Sequence, residues 1–128
     1  MNDQRVTLAD VASKPMQGRT GLDDIQLKVE NVSKRFGGVT AVDGVSVDIP
    51  RGGILSIIGP NGAGKTSFLN MISGFYKPDT GRILLDGKDI TRERPSEIAA
   101  LGIARTFQNI ALFSGLTVLD NLMLGRHV

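Results

Sequence analysis

The sequence predicts a mixed α/β fold in which strands stand both before and after a glycine-rich loop and the helix it opens. Three observations carry this reading. Residues 54–58, Ile-Leu-Ser-Ile-Ile, form a short, nearly continuous apolar run, the pattern of a strand buried in a parallel sheet. Gly59-Pro60-Asn61-Gly62-Ala63-Gly64-Lys65-Thr66 follows at once and fits G-x-x-x-x-G-K-S/T, the pattern of a phosphate-binding loop. Phe68, Leu69, Ile72 and Phe75 then recur at three- and four-residue steps, as on an amphipathic helix.

The chemistry of a polyphosphate explains the loop's composition. Consecutive backbone N–H groups wrap phosphate best, and the backbone comes close enough only where side chains are small. Gly59, Gly62, Ala63 and Gly64 meet that condition. Lys65 is placed to reach the β and γ phosphates and the Thr66 hydroxyl to hold Mg²⁺, while the new helix adds its positive N-terminal end. The candidate nucleotide-binding residues of this stretch are Gly59, Pro60, Asn61, Gly62, Ala63, Gly64, Lys65, Thr66 and Ser67.

The remaining elements follow in order. Residues 1–24 are polar and carry Pro15, Gly18 and Gly21, and read as a flexible extension. Residues 25–128 form the second unit. Ile25, Leu27 and Val29 alternate with polar residues, as do Val45, Val47 and Ile49, so both stretches read as half-buried strands. Gly37-Gly38 and Pro50-Arg51-Gly52-Gly53 supply the turns. After the loop helix, Lys77-Pro78-Asp79-Thr80-Gly81 is a turn, Arg82 to Leu85 a strand, and Asp86-Gly87 a reversal toward Ile90. Pro95 fits the first turn of a helix through Ile98, Ala99 and Leu101, with Gly102 as its stop. Residues 103–107 read as a short strand. Thr117-x-x-Asp120 resembles a capping box opening a helix through Leu119, Leu122 and Met123. Met71 and Met123 fall at helical core spacing.

Bulk properties exclude several classes. With 128 residues, 41% hydrophobic, the chain suits one domain or a piece of one. A net charge of +2 and the absence of Trp give no basic stripe with interleaved aromatics, so no nucleic-acid partner is expected. Zero cysteines exclude disulfides and thiolate metal sites and fit a reducing cytoplasm. No apolar stretch nears the roughly 18 residues that span a bilayer, so direct membrane insertion is not expected and any membrane role runs through a partner.

At this point the chain resembles the ATP-binding cassette family, the ATPase subunits of ABC transporters. An order of motifs carries the resemblance: Val32-Ser33-Lys34-Arg35-Phe36-Gly37-Gly38, then the loop at 59–66, then Pro78-Asp79-x-Gly81-x-Ile83, then Arg105-Thr106-Phe107-Gln108. Gly102 to Asn109 and Leu116 to Leu122 look most like the ATP-binding subunits of branched-chain amino-acid importers of the LivG type. The resemblance implies an α/β P-loop NTPase (RecA-like) core with an antiparallel β subdomain, and ATP and Mg²⁺ as cofactors. It implies transmembrane permease subunits and a second ATPase subunit as partners, and a cytoplasmic location at the inner face of the plasma membrane through them. By position, Phe36 would stack on adenine; read alone, it is a core aromatic. Lys65 and Gln108 would be catalytic, with Thr66 and Gln108 ligating Mg²⁺; read alone, Gln108 is a polar residue at a strand end. Arg105 reads as a structural or interface side chain, and His127, the one histidine, as a solvated helix end.

The departures from the family's pattern are large. The chain contains no Leu-Ser-Gly-Gly-Gln signature, no apolar run ending in Asp-Glu after Gln108, and no switch histidine. It reads as a cassette ATPase truncated before the signature and the Walker B strand, its residues 54–58 left with one unpaired edge and an incomplete apolar cover, and the isolated chain unstable or aggregation-prone. Two alternatives stay open. One is a different P-loop enzyme, a GTPase or small-molecule kinase, although no Asn/Thr-Lys-x-Asp guanine motif is present. The other is a nucleotide-binding product without turnover.

Overall fold

The computed structural model describes residues 24–108 and 112–125. The expected N-terminal extension, all but its last residue, and His127 lie outside them. The body is a sheet of four antiparallel strands: β1 (Ile25–Phe36), β2 (Val39–Pro50), β3 (Thr80–Leu85) and β4 (Lys88–Asp89), in the spatial order β2-β1-β3-β4. Three helices accompany it: α1 (Lys65–Ile72), α2 (Pro95–Ala100) and α3 (Val118–Gly125).

The β1–β2 hairpin turns at Gly37-Gly38 and pairs Phe36 with Val39, Val29 with Val47 and Lys28 with Asp48. Its register shifts between Val29 and Val32 and again past Val32, which leaves ladder groups without strand partners. Serine hydroxyls take their place: the Asn31 N–H donates to Ser46 Oγ at 2.9 Å and the Gly44 N–H to Ser33 Oγ at 2.8 Å. On its other edge β1 pairs Val29 with Ile83 and Leu27 with Leu85. The irregularity between Val29 and Val32 lets both, three residues apart, face the interior, where they join Val42, Val45, Phe68, Met71, Ile83, Ile90 and Ile98 in one buried cluster. Each such side chain contributes on the order of 1.5–3 kcal/mol by leaving water. Met71 therefore occupies the core position its spacing predicts, and Phe68 and Ile72 seat α1 on the same cluster.

Local chemistry sets the helix ends. Pro95 stands at the first turn of α2, where the Arg94 N–H donates to Glu97 Oε2 at 2.7 Å; Gly102 follows the end with a φ of 101°. Thr117 and Asp120 form the predicted capping box: the Asp120 N–H donates to Thr117 Oγ1 at 3.1 Å, and the Thr117 N–H to Asp120 Oδ2 at 3.2 Å.

Four sequence expectations need correction. Residues 54–58 form no strand, and Ile54 is 92% and Ile58 71% exposed. An apolar run becomes a buried strand only when neighbours accept its ladder bonds, and among the described residues none pairs with it. Residues 103–107 likewise form no strand. Helix α1 closes at Ile72, so Phe75 lies beyond it and half exposed. Met123 is also half exposed, because α3 buries none of its residues against the described body.

Candidate functional site

The glycine-rich loop folds as its composition requires. The Ala63 N–H donates to Pro60 O at 3.2 Å, and Gly62 and Gly64 take φ values of 85° and 93°, a region closed to most L-residues. Gly64 is also the N-cap of α1. A Cβ there would collide with the carbonyl oxygen of Ala41 on β2. Only glycine lets the loop lie against β2, and this contact brings the loop beside the strand that starts at the Phe36 turn.

The start of α1 has an open row of donors. Among the described residues, no acceptor meets the backbone N–H groups of Gly62, Gly64, Lys65, Thr66 or Ser67. The first turn holds no acidic side chain, so nothing offsets the positive end of the helix. Lys65 is half-buried, and its Nζ donates to Gly59 O at 2.6 Å and Pro60 O at 2.7 Å. The ammonium thus lies folded over the loop that it would share with a phosphate. Asn61 and Thr66 are exposed and Ser67 half-buried.

Phe36 ends β1 and is 42% exposed. Its ring meets Tyr76 edge-on, with centroids 5.1 Å apart and planes at 69°, and Lys34 Nζ lies 5.5 Å from its centre. Asp79 accepts from Lys34 Nζ and from the Arg35 N–H, both at 2.8 Å. These two donors hold the Asp79 carboxyl below the usual carboxylate range, the Lys34 hydrogen bond being the larger cause.

Gln108 is exposed at the end of the segment that follows α2. That segment is fastened to α1 by Arg105, whose Nη1 donates to Asn70 Oδ1. Phe107 packs edge-on against Phe75 at 5.7 Å, with the Arg105 guanidinium 5.2 Å from the Phe107 ring. Arg105 is thereby the structural side chain expected of it. Ala41 of β2 meets the loop at Gly64, and Arg105 ties the Gln108 segment to α1 at Asn70. Among the described residues, the ring contacts of Phe36 are with Tyr76 and Lys34 and not with the loop.

Sequence reasoning did not single out Tyr76, Asn70 or Ala41, and it read Asp79 within a turn and within the Pro78-Asp79-x-Gly81-x-Ile83 motif, without a role of its own. Their contacts join residues far apart in the chain, 45 positions for Asp79 and Lys34, so no local pattern announces them. The open depression bounded by Gly81, Arg82, Asp89, Thr91, Arg92 and Glu93 shares no residue with the loop. Among the described residues, no cluster of His, Cys, Asp and Glu is disposed to hold a metal, and no helix is long and apolar enough to cross a membrane.

A strand-side glycine loop running into a helix with open N–H donors and a lysine defines a P-loop protein of mixed α/β architecture. The ABC transporter family model matches residues 42–127, and the chain belongs to that family. It is 47% identical over 98 residues to the "Probable branched-chain amino acid transport ATP-binding protein LivG" of Archaeoglobus fulgidus, covering 77% of this chain and 38% of that protein. It is 48% identical over 96 residues to the spermidine/putrescine import ATP-binding protein PotA of Nitrosospira multiformis, covering 75% and 26%. Among solved structures, the ADP conformation of an ATP-binding cassette of an ABC transporter superposes with a TM-score of 0.74 at 45% identity, covering 80% of this chain and 40% of that one. The chain therefore spans about two-fifths or less of the length of these relatives.

Proposed function

We propose that residues 59–67 seat the triphosphate of ATP, that Phe36 stacks on its adenine, and that residues 25–128 are the N-terminal part of a cassette ATPase's nucleotide-binding domain. Residues 1–24 form an extension to it. The observation that carries this is the set of open N–H groups at Gly62, Gly64, Lys65, Thr66 and Ser67, with the Lys65 ammonium beside it and no acidic residue in the first turn. Such a set favours a polyanion over any neutral ligand. The cassette structure in its ADP conformation, 45% identical, supports a nucleotide as that polyanion.

The donor set fits Mg²⁺. Thr66 offers an exposed hydroxyl and Gln108 an exposed amide oxygen, both hard neutral donors that leave remaining positions to phosphate oxygens and water. Thr66 and Gln108 would hold the ion, which supplies neutralisation of phosphate charge when bound. The Lys65 ammonium is the chain's own contribution of charge: on binding it exchanges the carbonyls of Gly59 and Pro60 for phosphate oxygens. Lys65 and Gln108 are the residues we assign to catalysis in the whole ATPase. Hydrolysis also needs a carboxylate to orient water; the activity we assign to residues 25–128 is nucleotide binding.

In the cell we place the subunit on the cytoplasmic face of the membrane, held there by permease subunits and paired with a second ATPase subunit. Branched-chain amino acids are the solute class we favour, on the Archaeoglobus relative; the polyamine relative of nearly equal identity is the competing source. Co-purification with the permeases of a branched-chain amino-acid importer, against those of a polyamine importer, tests this. Selective association with the first is expected, and association with the second alone overturns the assignment. For the base, equilibrium titration with MgATP and MgGTP decides. Adenine stacking on Phe36 requires tighter binding of ATP, and a preference for GTP removes it.

A further inference from the structure

We propose that Asp79 is the positioning residue of the adenine platform, acting on base affinity through Lys34, Arg35 and Phe36. This rests on the seat for adenine at Phe36 proposed above. The β1–β3 ladder ends at the Ser33–Thr80 pair, so the last three residues of β1 lose that neighbour. Asp79 takes over the edge. Its N–H donates to Ser33 O at 2.8 Å, its Oδ1 accepts from Lys34 Nζ at 2.8 Å, and its Oδ2 accepts from the Arg35 N–H at 2.8 Å. One residue thereby fixes the three that precede Phe36.

Burial does not hold the Phe36 ring, which is 42% exposed. Its place is set by pairing with Val39, by the Tyr76 edge at 5.1 Å and by the Lys34 ammonium at 5.5 Å. Asp79 anchors that ammonium, and Tyr76 stands three residues before it on the same segment. The segment in turn hangs from α1, because the Tyr76 N–H donates to Asn70 O at 3.1 Å. Residues 76–79 therefore tie the end of the phosphate-loop helix to the base platform. A carboxylate suits the task, since two oxygens can each accept from a different donor, and the ion pair keeps Lys34 over the ring instead of over the incoming base.

The test separates base from phosphate. Calorimetric affinities for MgATP and for magnesium tripolyphosphate, which has no base, are measured for the whole chain and for Phe36→Ala, Asp79→Ala and the double variant. Phe36→Ala is expected to weaken MgATP roughly tenfold or more, the scale of one stacked base. Asp79→Ala is expected to weaken MgATP about three- to tenfold, with tripolyphosphate held within about twofold. The double variant should bind MgATP no more weakly than Phe36→Ala alone, because both changes remove one interaction.

An equal loss for both ligands in Asp79→Ala overturns the assignment, as does an additive double variant or unchanged MgATP affinity. Unchanged MgATP affinity in Phe36→Ala is a separate result: it removes the adenine seat itself, and this assignment with it. If circular dichroism shows Asp79→Ala unfolded, Lys34→Met and Asp79→Asn replace it under the same criteria.

Discussion

Gly64 sits against the carbonyl oxygen of Ala41 with no room for a Cβ between them, so the loop and β2 are fitted to each other at a backbone contact. Gly62 shares the positive φ but faces open space. The two glycines of one motif thus have different physical duties. Gly62→Ala is expected to cost about 1–3 kcal/mol through backbone strain alone. Gly64→Ala adds a steric overlap, and is expected to lower the melting temperature further and abolish MgATP binding. Equal melting temperatures for the two variants would contradict the packing of the loop on β2.

The buried cluster and the exposed apolar run should answer substitution in opposite ways. Phe68 is 1% exposed, and Phe68→Ala is expected to destabilise by about 3–5 kcal/mol. Ile54 is 92% exposed, and Ile54→Ser is expected to stay within about 0.5 kcal/mol while reducing dye binding to exposed apolar surface and slowing aggregation. Urea unfolding and light scattering read both. A loss of several kcal/mol in Ile54→Ser would show that residues 54–58 pack against the body in solution.

Acid should loosen the helix starts before it reaches the apolar cluster. Hydrogen bonding to the Arg94 side chain, and then to its backbone N–H, pulls the Glu97 carboxyl from 4.5 down to about 2. Thr117 lowers Asp120 in the same direction. A depressed carboxylate contributes its full stability above its unfolded value and loses it as pH falls through the folded one. For Glu97 that window runs from about 4.5 down to about 2. A carboxylate-resolved NMR titration of Glu97 should show its midpoint near the bottom of this window, and a midpoint near 4.5 would remove the Arg94–Glu97 hydrogen bonds at the start of α2.

Much of this was legible in the sequence because it is local. The Thr117–Asp120 box, the Pro95 start, the Gly37-Gly38 hairpin and the phosphate loop all depend on residues a few positions apart. The same is true of the alternation that includes the buried Val29 and Val45. What could not be read is what depends on partners. Residues 54–58 carry a strand's composition, but a strand exists only with neighbours to accept its bonds, and the described residues provide none. Tyr76 and Asp79 serve Phe36 from some forty residues away, and no spacing rule links an Asp in a turn to an aromatic at the end of an earlier strand. The pattern points to the loop and to Phe36, and the structure adds the Tyr76 and Lys34 contacts of that ring and its strand pairing with Val39.

The central claim is that residues 59–67 bind a nucleotide's phosphates, with the Lys65 ammonium beside open backbone donors. Calorimetric titration of the wild-type chain and of Lys65→Ala with MgATP tests it most directly, with circular dichroism confirming that both are folded. Wild-type binding is expected, with a loss of roughly ten- to hundredfold in Lys65→Ala, the scale of one charge-assisted hydrogen-bonding group. Magnesium tripolyphosphate should show the same loss. Equal MgATP affinity in the two proteins, or no binding by folded wild type, would contradict the account.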